Sequence, residues 1–118
     1  MPLVSTPSWT YPITISGPFG QYTIEALVDP DASFTRIPTP ALIEMGIEPV
    51  RVVRLLADDG TIGFYQLGRA LTTVAGVEDV TPIVFGEPGT PSVLGRASLD
   101  ILMLEVQGSA VVPVAGRV

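Results

Sequence analysis

The chain has 118 residues, of which 47% are apolar and 15% charged, with a net charge of −6; this is the length and composition of one folded domain and argues against disorder. It contains no Cys and no His, and all six cations are Arg, which excludes disulfides, thiolate and imidazole nucleophile systems, His-ligated metals and lysine Schiff bases. With no basic run, nucleic acid is not an expected partner, and the chemistry left to the chain is that of its carboxylates and tyrosines.

Residues 1–8 form a Pro/Ser/Thr-containing lead-in without a basic region and long apolar stretch, so no signal peptide is expected. No apolar segment approaches the roughly 18 residues of a membrane span, and the expected location is cytoplasmic. Trp9, Tyr11, Ile13 and Ile15 fall at every second position and so on one face, the pattern of a half-buried strand. Gly17-Pro18-Phe19-Gly20 turns the chain, and residues 22–28 return as the second arm of a hairpin. That arm ends in the apolar run Ala26-Leu27-Val28 and then an acid, Asp29. A polar loop, Pro30-Asp31-Ala32-Ser33, leads to a second apolar point at Ile37.

A short helix is predicted next. Thr39 is a fitting N-cap, Pro40 suits the first helical position, Ala41, Leu42 and Met45 form an apolar stripe, and Gly46 stops the helix. Residues 51–57 read as a strand, and Asp58-Asp59-Gly60 predicts a type I′ hairpin turn. The return strand covers residues 61–67, and residues 69–75 form another strand before a turn at Gly76. Residues 80–85 follow, with Pro82 predicting an edge position. After the loop at 86–91, a short apolar strand meets Gly95, and a second helix starts there. Residues 102–106 and 110–114 are the last two strands, joined by a turn at Gln107-Gly108-Ser109.

Many short strands with regular turns and two short helices predict an all-β fold, a small closed or partly closed barrel, in a single domain over residues 1–118. There is a weak internal echo: apolar strand, polar loop and short helix occur once around Asp29 and once around Gly95.

A carboxylate at the end of a buried strand is costly unless it is satisfied or used. Asp29 and Asp31 have a plain reading as turn formers, because Asp side chains bond nearby backbone N–H groups. A second reading makes them oxygen ligands for Ca²⁺ or Mg²⁺, but such ions require more ligands than this pair supplies. No metal or other cofactor is expected.

The ordered set of features resembles the retropepsin-like aspartic proteases, the single-lobed relatives of the pepsins. Ala26-Leu27-Val28-Asp29 matches that family's apolar strand ending in the catalytic Asp, and Ala32-Ser33 matches the residues after its Asp-Thr-Gly. Residues 55–65, turning at Asp58-Asp59-Gly60, fall where the family has its substrate-covering flap, and Val93-Leu94-Gly95-Arg96 with Leu99 looks like its C-terminal segment and helix. The resemblance spans roughly residues 13–112.

It implies an aspartic endopeptidase active as a homodimer, with a peptide or protein substrate. Asp29 is the implied catalytic residue, sharing a proton with its twin across a two-fold axis. Asp31, Ala32, Asp58, Asp59, Gly60 and Thr61 are the implied substrate-binding residues, and Gly95 the implied point where the backbone passes behind the loop. The terminal strand would be buried in a sheet shared by two copies.

The departure is Asp29-Pro30-Asp31 in place of Asp-Thr-Gly. Pro30 has neither the hydroxyl that grips across the family's dimer axis nor an N–H, and Asp31 adds a like charge beside Asp29. This implies the alternative of a catalytically impaired or inactive domain that serves as a dimerisation or peptide-binding module.

Overall fold

A computed structural model describes residues 9–118; the lead-in, residues 1–8, lies outside the described residues. The alternation read at the start builds the first hairpin. β1 (Thr10–Gly17) buries Ile13 and Ile15 and pairs antiparallel with β2 (Gly20–Val28) across the two-residue loop Pro18-Phe19. β3 (Thr35–Pro38) precedes α1 (Thr39–Glu44), followed by β4 (Pro49–Leu56), β5 (Ile62–Val74) and β6 (Val77–Gly86). The chain ends with β7 (Val93–Leu94), α2 (Arg96–Ile101), β8 (Leu104–Gln107) and β9 (Ala110–Pro113).

The fold is mostly β with two short helices, and its main sheet is partly ring-like. Strands run in the order β1-β2-β7-β3-β6-β5-β4, and the second half of β5 also pairs with β1, from Ile13↔Val74 to Ser16↔Leu71. Six strands thereby close on themselves around a core that includes Ile13, Ile15, Ile37, Leu42, Ile83, Leu94 and Leu99. β4 stays outside the ring and pairs only with the first half of β5, so the β4–β5 hairpin projects from it. β8 and β9 form a separate two-stranded sheet that adds Leu104 and Val111 to the core. Among the described residues no helix is long and apolar enough to cross a membrane.

One strand joins those expected, and four local expectations are corrected. The stretch after the Asp29 loop is a strand, β3, too short for a period to register; it pairs parallel with β6. Residues 61–75 are not two strands. β5 runs unbroken through Gly68, where a Cβ would press on the Glu48 carbonyl and the Phe85 ring, so this glycine marks a close approach rather than a break. Pro82 does not make β6 an edge strand. β6 lies between β3 and β5, and Pro82 is tolerated because β3 pairing starts only at Ile83. Pro38, not Thr39, is the N-cap residue of α1, while Thr39 lies in the helix and donates its hydroxyl to the Gly86 carbonyl at 2.7 Å.

The fourth correction concerns turn type. At Asp58-Asp59-Gly60 only Gly60 has positive φ (87°), and the Gly60 N–H donates to the Ala57 carbonyl at 2.9 Å. This is a three-residue loop with a left-handed glycine, not a type I′ turn. The type I′ signature occurs instead at the β5–β6 turn, where Ala75 (φ 52°) and Gly76 (φ 79°) are both left-handed. A left-handed Ala costs about 1–2 kcal/mol. Ala75→Asn, which tolerates this conformation better, is expected to stabilise the protein by roughly 1 kcal/mol, read as a raised urea midpoint with unchanged slope. A lowered midpoint would contradict the turn geometry.

Candidate functional site

Asp29 sits where β2 leaves the sheet. The parallel register Leu27↔Val93, Val28↔Leu94 brings β7 alongside, and the Asp29 N–H donates to the Leu94 carbonyl at 3.0 Å. Asp29 itself is half-buried and Asp31 exposed. The Asp31 N–H donates to Asp29 Oδ1 at 3.1 Å, and the Ala32 N–H to the Asp29 carbonyl at 3.1 Å. The first of these bonds is an Asx turn. It fixes one carboxylate oxygen, and no other side-chain bond to the Asp29 carboxylate occurs among the described residues.

The loop rests on the start of α2. A helix begins with N–H groups that have no partner inside it, and α2 has no side-chain cap. Its first N–H groups instead donate into the loop: Arg96 to the Ala32 carbonyl at 2.7 Å and Ala97 to the Ser33 carbonyl at 3.0 Å. Arg96 Nε donates to the Pro30 carbonyl at 2.9 Å. Gly95 is the contact point, since a Cβ there would overlap the Phe34 carbonyl. Its φ is −109°, so space rather than backbone angle requires the glycine. Leu94 and Leu99 on either side are fully buried. Burying each contributes roughly 1.5–3 kcal/mol, against about 1 kcal/mol for one neutral hydrogen bond. Packing therefore holds α2 beneath the loop, while the hydrogen bonds set its register.

Beneath the loop lie four fully buried hydroxyls, Thr35, Ser98, Thr81 and Thr72. Thr35 accepts from the Gly95 N–H at 3.1 Å, and contacts of 2.6, 3.0 and 2.7 Å link Thr35 to Ser98, Ser98 to Thr81 and Thr81 to Thr72. These residues carry no motif in the sequence. The available signal was Thr72 alternating with Ala70 and Val74, and Thr81 with Ile83 and Phe85, on core-facing positions. That signal is weak because Thr favours strands on either face.

The candidate residues fall into two groups. Asp29, Asp31 and Ala32 share the loop on α2, whereas Asp58, Asp59, Gly60 and Thr61 form the tip of the projecting β4–β5 hairpin. No hydrogen bond among the described residues joins the groups. A cleft of about 530 Å³ lies at the hairpin base, lined by Arg51, Val53, Leu67 and Arg69 of the hairpin strands, by Val80, Thr81 and Pro82 of β6, and by Phe34 and Ile101. A second cleft, of about 660 Å³, separates α1 from the hairpin and is lined in part by Ile43, Glu44, Phe64 and Tyr65. Asp29 lines neither. No group of three or more carboxylates or other metal-ligating side chains occurs among the described residues.

A scan against protein-family models and a search of curated proteins found no match for this chain.

The hairpin tip carries its own electrostatic lock. The Thr61 hydroxyl, at 2.6 Å, and then the Thr61 N–H, at 3.0 Å, donate to Asp59 Oδ1 and hold this carboxyl below the usual carboxylate range. A lowered folded-state value means that the bond's support is present above the ordinary Asp value and is lost as pH falls through the lowered one. Thr61→Val is expected to move the Asp59 titration upward toward the ordinary value, followed by carboxyl NMR. An unchanged titration would contradict the assigned lock.

Proposed function

We propose that this chain is a retropepsin-type aspartic endopeptidase domain whose active form is a homodimer, with Asp29 as its catalytic carboxylate. The observation that carries the reading is the loop: a half-buried carboxylate at the end of a buried strand, seated through Gly95 on a short helix. The projecting β4–β5 hairpin supports it, because a flap must extend beyond the barrel and reach over a substrate. Its large apolar side chains Val52, Leu56, Ile62 and Phe64 are exposed, with Leu56 and Phe64 each 72% accessible.

The parallel pairing of β2 with β7 argues for two copies. In the register that pairs Val28 with Leu94, the position matching Asp29 is Gly95, so one chain supplies one such carboxylate. Two copies supply a dyad that shares one proton. The ionised carboxylate takes a proton from water as the water oxygen bonds to the peptide carbonyl carbon, and the protonated partner gives its proton to the carbonyl oxygen. Collapse of the tetrahedral intermediate then breaks the C–N bond, and a proton passes to the leaving nitrogen.

A second reading, an impaired domain that binds peptide or a second copy without turnover, is favoured by Pro30 and Asp31. Pro30 offers only its carbonyl, which Arg96 already occupies. In a dimer two exposed Asp31 carboxylates would join the Asp29 pair, and this repulsion opposes association at neutral pH.

Three outcomes follow. Peptide-library cleavage, at acidic to neutral pH and high protein concentration, is expected to vanish in Asp29→Asn; cleavage that persists would overturn the assignment of Asp29. Pro30→Thr with Asp31→Gly is expected to raise turnover by at least roughly tenfold, about 1.4 kcal/mol of barrier, and no cleavage even then would count against a peptidase. Sedimentation is expected to show a dimer that Asp31→Gly tightens, since the substitution removes two like charges from the pair of loops. A monomeric mass at every pH, at tens of micromolar as an order of magnitude, would refute the dimer.

A further inference from the structure

The four buried hydroxyls beneath the loop have only one possible arrangement of protons. Five hydrogen bonds join Gly95 N, Thr35 Oγ1, Ser98 Oγ, Thr81 Oγ1, Thr72 Oγ1 and the Ala70 carbonyl in sequence. The Gly95 N–H can only donate and the Ala70 carbonyl can only accept, while each hydroxyl has one proton to give. Five bonds therefore use five protons, and every one must point the same way. Gly95 donates to Thr35, Thr35 to Ser98, Ser98 to Thr81, Thr81 to Thr72, and Thr72 to Ala70.

A chain of this kind polarises each of its members in one direction, and inside a protein each bond strengthens the next. It also has no spare partner. No buried side-chain polar atom among the described residues is left without a hydrogen bond, and removing the Thr81 hydroxyl takes from Ser98 its acceptor and from Thr72 its donor, cutting the chain in two. Its route is also specific. Thr35 opens β3 immediately after the Asp29 loop, Ser98 lies on α2, Thr81 on β6, and Thr72 and Ala70 on the ring half of β5. The other half of β5 is one arm of the projecting hairpin.

We infer that Thr35, Ser98, Thr81 and Thr72 are positioning residues, a one-way hydroxyl chain that fixes the Asp29 loop relative to the strand bearing the hairpin. All four are fully buried, Thr81 beneath the wall of the cleft at the hairpin base, so each acts through its neighbours. That the loop is catalytic rests on the function proposed above; the positioning role does not, and its test requires no turnover.

The test breaks the chain at Thr81, which is remote from the loop in sequence. Thr81→Val keeps the side chain's shape and removes its hydroxyl, whereas Thr81→Ser keeps the hydroxyl and loses a methyl group. Amide hydrogen exchange is followed at Gly95, Ala32 and Arg96, with Ile15 in β1 as the reference for global unfolding. In Thr81→Val the three loop-side amides are expected to exchange roughly tenfold faster relative to Ile15, the order expected for one lost buried hydrogen bond. Thr81→Ser is expected to restore most of their protection. Loop-side amides that merely follow Ile15 in Thr81→Val would overturn the inference, as would equal acceleration in both variants. If instead the peptidase reading fails, cleavage is absent while these exchange differences persist, so the two failures are separable.

Discussion

The absence of a side chain at Gly95 is the constraint on which the site depends. It lets the Phe34 carbonyl and the Thr35 N–H group come against the start of α2, a separation that any Cβ would prevent. Three further features rely on this approach. The first N–H groups of α2 find their acceptors in the loop carbonyls, Arg96 reaches the Pro30 carbonyl, and the Gly95 N–H reaches the Thr35 hydroxyl. The short parallel pair β2–β7 brings the segments to this distance, and the buried leucines 94 and 99 keep them there.

The same geometry shows how the loop accommodates its unusual sequence. Asp31, despite its side chain, still presents its N–H to the Asp29 carboxylate, and Pro30 directs its carbonyl to Arg96. Neither residue disrupts the loop's seat, because every backbone bond to α2 comes from Ala32 or Ser33, beyond the altered pair. On the proposed reading the departure therefore acts between two copies rather than within one. It removes a hydroxyl that could cross the axis and places two additional charges close to it.

The sequence made the larger elements legible where a single physical signal dominated. Alternation identified β1, since Ile13 and Ile15 point into the core, and Pro40 with Gly46 bracketed α1. The errors arose where tertiary contacts override local preference. Gly68 and Pro82 are ordinary punctuation marks in a chain, yet one lies where backbone and an aromatic ring crowd a strand and the other just ahead of a strand pairing. Asp59-Gly60 has the composition of a type I′ turn, but the Thr61 bonds to the Asp59 carboxylate accompany a different loop. At the site, Asp29 was visible because a charge ended an apolar run. The hydroxyl chain was not, because its members are separated by up to 63 residues and meet only in the folded state.

On the proposed reading, two Asp29 loops, one from each of two copies, form a single site. The most direct measurement is calorimetric titration with a peptide in which a hydroxyethylene group replaces the scissile amide, a mimic of the tetrahedral intermediate that a carboxylate dyad binds in preference to substrate. Such binding requires no turnover. The proposed dimer binds one ligand per two chains, its chains associate on binding, and binding is lost in Asp29→Asn. Binding of one ligand per chain, unaffected by Asp29→Asn, would contradict it.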